Sequence, residues 1–161
     1  SAFAGNSDHI GVWNAIKPYF NVVKDCGFSS GQGCFTLGVM YKYLNSNNWS
    51  IVDNNSELKA RLADSASIDV YDYNGNCINN YSISNKDPLN HTCGYIYVDV
   101  NGAKGPNQVG RDTFFWWITR KGGVFPYGHY DDSVYSESSC NPSSSGVGCT
   151  AKILKEGAMN Y

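Results

Sequence analysis

Residues Gly94 to Ile118 read GYIYVDVNGAKGPNQVGRDTFFWWI, and this stretch decides the layout. It opens as a strand, with Tyr95, Tyr97 and Asp99 alternating against Ile96, Val98 and Val100. That period of two puts successive side chains on opposite faces of a sheet. The pattern breaks at Asn101-Gly102 and Gly105-Pro106-Asn107, and Gly110 closes the connection. These residue types supply the backbone angles that turns need. A second strand, Phe114 to Thr119, leaves the loop. Adjacent Trp116 and Trp117 in that strand must face opposite ways, so one at least belongs to a core.

Between the strands, Asp99, Asn101, Asn107 and Asp112 place four oxygen-bearing side chains in one glycine-rich connection. Either the carboxylates accept backbone N–H bonds and the asparagines shape turns, giving a clasp between strands, or the four ligate a hard cation. Calcium takes several oxygen ligands of these kinds. The opening Asp-x-Asn-Gly echoes a calcium loop, but Ala103 stands where a third ligand would sit and no Glu closes the segment. The clasp is the stronger reading. Calcium is the alternative occupant, and no other cofactor is expected.

Working outward, Asp8 to Asp25 reads as an amphipathic helix. Ser7 or Asp8 caps it, Ile10, Trp13, Ile16, Phe20 and Val23 fall near helical spacing, and Pro18 interrupts it with a kink or a break. Phe28 to Asn55 reads as irregular, anchored by Phe35, Tyr41, Tyr43, Leu44 and Trp49. Ser56 to Ala63 reads as a short second helix. Ser67 to Tyr73 is a strand that meets Asn74-Gly75, a strong hairpin turn, and Cys77 to Ser84 returns from it. Lys121-Gly122-Gly123 turns the chain into Val124 to Tyr127, and Thr150 to Tyr161 reads as a short closing helix. The expected fold is therefore α+β: one domain over residues 1–161, with an N-terminal amphipathic helix packed on an antiparallel β-meander.

The chain has 161 residues, a net charge of −2 and 16% charged residues. Asn, Ser, Gly and Tyr fill the polar positions, a composition that suits a secreted or surface-displayed protein. The scattered basic residues give no stripe for nucleic acid, and no apolar run is long enough to cross a bilayer. Cys26, Cys34, Cys77, Cys93, Cys140 and Cys149 form three sequential pairs, each bracketing a loop rich in Gly, Ser or Asn. An even count with this spacing favours disulfides and an oxidising compartment. Zinc is disfavoured, because no Cys-x-x-Cys occurs and His9, His91 and His129 do not space as ligands. Six cysteines allow many connectivities. The expected one joins nearest neighbours, because each pair brackets a turn.

Three stretches resemble type IV pilin-like, or prepilin-type, proteins of Gram-negative bacteria. The first is Tyr97-Val98-Asp99-Val100-Asn101-Gly102 with Gly105-Pro106-Asn107 and Gly110-Arg111-Asp112-x-Phe114. The second is Phe125-Pro126-Tyr127-Gly128. The third is Cys149 to Gly157 with the ending Met159-Asn160-Tyr161. The resemblance covers most of the second half, and the first half matches in layout. It implies the ectodomain of a longer, non-catalytic structural subunit: a major or minor pilin, or a pseudopilin of a type II secretion filament. Such a subunit is anchored in the inner membrane through an apolar N-terminal helix and assembles with other pilin-like subunits through it. It is displayed in the periplasm or at the cell surface, and the domain alone is expected to be a monomer.

Two further readings compete. An extracellular binding or adhesion module would use the many tyrosines with Trp49, Trp116 and Trp117 as a platform for sugar or peptide. A secreted hydrolase would use His129-Tyr130-Asp131-Asp132 and Ser133. No Gly-x-Ser-x-Gly or His-Glu-x-x-His accompanies them, and adjacency in sequence is not triad geometry.

Overall fold

A computed structural model describes residues 9–73, 77–121 and 123–161, apart from the side chains at positions 9, 11, 12 and 15. Among these residues the chain forms two helices, α1 (His9–Ile16) and α2 (Cys149–Glu156), and eight strands. The strands are β1 (Val22–Gly27), β2 (Met40–Lys42), β3 (Asn48–Ile51), β4 (Leu58–Leu62), β5 (Ser67–Asp72), β6 (Thr92–Asp99), β7 (Thr113–Thr119) and β8 (Gly123–Pro126). Six of them make one antiparallel sheet in the order β1-β4-β5-β6-β7-β8, and β2 pairs with β3 separately.

The α+β expectation does not hold. The protein is mostly antiparallel β, and no amphipathic helix spans Asp8 to Asp25. Regular helix stops at Ile16, and Lys17–Tyr19 is a single 3-10 turn. Pro18 explains the stop, since its ring clashes with the preceding turn and it has no N–H to donate. The residues beyond it become β1, pairing Val22 with Leu62 and Asp25 with Ala60. Ser56 to Ala63 is likewise not helical. Its Leu58–Leu62 core is β4, held between β1 and β5, and pairing on both sides overrides local preference. The region read as irregular contains the β2–β3 hairpin. Cys77 to Ser84 joins no ladder and meets its neighbours through isolated bridges, Asn79 with Thr92 and Ser82 with Asp132. The four strands read from Ser67, Gly94, Phe114 and Val124 are β5 to β8, and the closing helix is α2. The Ser7/Asp8 cap, the Asn74-Gly75 turn and Gly122 lie outside the described residues.

Register sorts the two faces by chemistry. On one face Leu58 and Ala60 lie beside Val70 and Ile68, then Ile96 and Val98, then Trp116 and Phe114. Trp13 and Ile16 of α1 are buried in the same aliphatic cluster. Towards β8 this face carries an open groove of about 200 Å³ lined by Phe20, Ile96, Val98, Trp116 and Val124. On the other face Tyr71 lies beside Tyr95, and Tyr95 and Tyr97 beside Trp117 and Phe115. Phe35, Tyr41, Val52, Leu89 and Tyr127 complete that core. Lys59 is also fully buried. Its ammonium donates to the carbonyls of Asn54, Glu57 and Phe28 at 2.5, 3.0 and 3.2 Å, which satisfies all three of its donors.

Candidate functional site

The loop from Asp99 to Asp112 is built as a fastening. Asp99 ends β6 and is fully buried. Its Oδ1 accepts the N–H groups of Asn101 (3.1 Å) and Gly102 (2.8 Å), and its Oδ2 accepts the Tyr41 hydroxyl at 2.5 Å. Asp112, 2% exposed, holds the far side. Its Oδ2 accepts the Asn107 N–H at 2.7 Å and the Asn101 side-chain N–H at 3.3 Å, while Oδ1 accepts the Gln108 N–H at 2.6 Å. The four residues read from the sequence thus meet around one loop. A backbone bond from Val100 N–H to Asp112 C=O, 2.8 Å, closes it.

Charge in this loop is confined. Burial pushes the Asp99 carboxyl up to about 6; the Tyr41 hydroxyl and the two loop N–H groups pull it down, and the nearby Asp112 charge adds to the rise. Burial, then the hydrogen bond to Asp99, likewise drives the Tyr41 hydroxyl up. The Asn101 and Asn107 Oδ1 atoms are buried without a hydrogen-bond partner. Among the described residues, no three His, Cys, Asp or Glu side chains gather in a way that could hold a metal. Tyr41 was not legible as part of this site. It comes from β2, 58 residues before Asp99, and no local pattern ties the two.

Trp49 forms part of an aromatic cavity, whereas Trp116 and Trp117 point to opposite faces as expected. Trp117 is 1% exposed, and its Nε1 donates to Asp132 Oδ2 at 2.8 Å. The cavity, about 170 Å³, opens on the aromatic face between rings that include Trp49, Tyr43, Tyr73, Tyr95, Phe115 and Tyr135. These rings brace one another. Trp49 lies edge-on to Phe115 with centroids 5.2 Å apart, Phe115 stacks on Tyr127 at 5.3 Å, and Tyr127 stacks on Tyr135 at 4.5 Å. Such contacts add about 0.5–1.5 kcal/mol a pair beyond burial.

The segment read as a hydrolase site is occupied in holding loops. The Asp131 carboxylate accepts Ser82 Oγ–H at 2.5 Å and Ser84 N–H at 2.8 Å. Asp132 Oδ1 accepts the N–H groups of Val134 and Tyr135, and Oδ2 that of Gly128. His129 Nδ1 faces the Asp131 N–H at 3.3 Å. Ser133 enters none of these bonds.

Cystines join Cys26 to Cys34, Cys77 to Cys93 and Cys140 to Cys149, the nearest-neighbour pairing. They mark an extracytoplasmic protein. Among the described residues no helix is long and apolar enough to cross a membrane.

The three stretches that carry the resemblance meet in space. Phe115 N–H donates to Thr150 Oγ1 at 3.0 Å, and Ala151 N–H to the Tyr127 carbonyl at 3.1 Å. The Tyr161 hydroxyl donates to the Gly110 carbonyl. Gly110 has φ +83°, and a Cβ there would stand 2.8 Å from Cys149 Sγ. Only glycine accommodates both the angle and the approach. No protein-family model, no curated protein and no solved structure matches this chain.

Proposed function

We propose that this chain is the extracytoplasmic domain of a type IV pilin-like structural subunit, serving a pilus or a type II secretion filament. The observation that carries the reading is the convergence of residues 97–114, 125–128 and 149–161 into one fastened unit around β7, α2 and the Cys140–Cys149 bridge. The polar residues of the resembling loop serve this architecture. Both carboxylates are engaged by the loop's own N–H groups, as in a part that must be rigid. In this reading the domain is displayed outside the cytoplasm, assembles with other pilin-like subunits through a membrane-anchoring helix ahead of it, and performs no catalysis.

The coding sequence upstream of Ser1 tests it. A prepilin processing site followed by about 20 apolar residues is the expected finding. A cleavable signal peptide with no such helix overturns the reading. Purified alone, the domain should elute as a monomer in light scattering, and a closed oligomer at micromolar concentration would count against a filament subunit. An extracellular binding module is the second reading, favoured by the cavity lined by Trp49 and its tyrosines.

A further inference from the structure

The aromatic cavity differs from ordinary core in three respects. It is concave and open, its wall is almost wholly aromatic, and hydroxyl-bearing rings supply most of that wall. Trp49, Tyr43, Tyr73, Tyr95 and Tyr135 are each only partly buried, while Phe115 and Tyr127 behind them are buried. Ring faces carry negative quadrupole charge and attract cations lying over them. The surroundings have the same sign. The Asp132 carboxylate lies buried behind this wall, fixed by Trp117, Gly128, Val134 and Tyr135. The Tyr135 hydroxyl is held above its ordinary range by burial and next by Asp132, as expected beside a negative charge. A cavity of about 170 Å³ has room for a small organic head and not for an extended chain.

We propose that this cavity binds an organic cation of the methylated-ammonium class, with Trp49, Tyr43, Tyr95 and Tyr135 as the cage. An anion is disfavoured by both ring faces and Asp132. A bare ammonium or a metal ion would keep its water more tightly than a methylated head, which is weakly hydrated and fills a ring-lined space by apolar contact as well as by charge. The occupant is a free small molecule: the cavity takes one head, and the methyl groups need the rings on several sides.

The test is a titration of the purified domain with choline, followed by calorimetry and by ring-proton shifts in NMR. A parallel titration uses 3,3-dimethyl-1-butanol, which has the shape of choline without its charge. The expected result is saturable binding of choline, at least about tenfold tighter than the neutral isostere, with shifts confined to the cavity rings. Trp49→Ala should abolish it. Because that change could loosen the fold, Val147→Phe provides a second variant. It fills the cavity from its wall, leaves every cage ring in place, and should abolish binding while the melt is retained. Equal affinity for choline and its isostere overturns the proposal in favour of a plain apolar pocket. Tighter binding of a neutral disaccharide overturns it in favour of a sugar site. No saturable binding of choline, or binding that survives Val147→Phe, overturns it outright. Binding to phosphatidylcholine vesicles without binding to choline overturns the free-molecule occupant.

Discussion

The two faces of the six-stranded sheet are made from the same strands and differ in how they are held. The aliphatic face, with Ile68, Val70, Ile96 and Ile118, coheres chiefly by shape and exclusion of water, with a directional side-chain bond at its edge, from Trp13 Nε1 to Asp25. The aromatic face, with Tyr97, Phe115, Trp117 and Tyr127, adds directional bonds: Trp117 to Asp132, Tyr97 to Asp69, Tyr41 to Asp99. Each face holds a cystine, Cys77–Cys93 on the aliphatic side and Cys26–Cys34 on the aromatic. The first should tolerate swaps of similar volume. The second should be intolerant, because removing a ring also leaves a buried carboxylate short of a donor. One face is a filler, and the other is a framework on which loops and a cavity can be positioned.

Adjacent residues give the sharpest contrast. Trp117→Ala is expected to cost about 3–5 kcal/mol in urea denaturation, and Ile118→Ala about 2–5, towards the lower end. A larger loss for Ile118→Ala would reverse the assignment of framework and filler. Trp117→Phe isolates the bond to Asp132 from the filling of the ring.

Next in size, removing Cys77–Cys93 as a double alanine should cost about 2–5 kcal/mol, and removing Cys26–Cys34 a similar amount. Non-reducing peptide mapping must first return the three nearest-neighbour pairs. A crossed pairing would undo the division between faces.

Asp112→Ala takes the acceptor from the Asn107 and Gln108 N–H groups and is expected to destabilise by roughly 1–3 kcal/mol for each donor left buried. An unchanged melt would remove the structural role of that carboxylate. Calcium supplies a second arm. If the unpartnered Asn101 and Asn107 oxygens help ligate it, the melting temperature rises with added calcium and falls with chelator. Indifference to both leaves a purely hydrogen-bonded clasp.

A pH series gives a smaller effect with a definite sign. The native Asp99 carboxyl titrates near 6 and its unfolded counterpart near 3.8, so the native state holds the extra proton between those values. Its contribution is full below the lower value and is lost as pH rises through the upper one, at about 1.4 kcal/mol per pH unit. Asp69, pushed up mainly by burial, slopes the same way. Asp25, pulled down by Lys17, Trp13 and Gly27 against its burial, slopes the other way. Asp99→Asn should therefore flatten the dependence between about pH 4 and about pH 6 by denaturant titration, and an unaltered slope would mean that Asp99 does not titrate there. Smallest of all, Trp116→Ala on the open groove should change stability by less than the Ile118 substitution, since Trp116 is only partly buried.

Legibility followed the range of the interactions. β5 to β7 were readable because alternation in Ser67–Tyr73 and Gly94–Ile118 is a local consequence of two-sided burial, and β8 because glycines mark the turn into it. The loop residues Asp99, Asn101, Asn107 and Asp112 were readable because the backbone N–H groups that the two carboxylates accept lie within a few positions of them. β1 and β4 were not, because Val22–Gly27 is a strand by virtue of pairing with Leu58–Leu62, some 35 residues on, and Leu58–Leu62 by pairing with β1 and β5 on its two sides. The reading of Asp8–Asp25 holds an interruption at Pro18, and the error lies beyond it, where apolar spacing was carried on as helix through residues that form β1. The roles of Tyr41 and Asp132 were not legible, although both residues were singled out, because their partners, Asp99 and Trp117, are brought to them by the finished sheet.

Lys59 gives the protein a chemical clock for its own opening. With its ammonium closed in by three carbonyls and no solvent reaching it, an amine-acylating reagent can modify it only when β4 leaves the sheet. Lys86, Lys104 and Lys121 are exposed and should react at once. The acylation rate at Lys59, read by mass spectrometry against those internal standards, would report how often the native sheet comes apart, with no denaturant added.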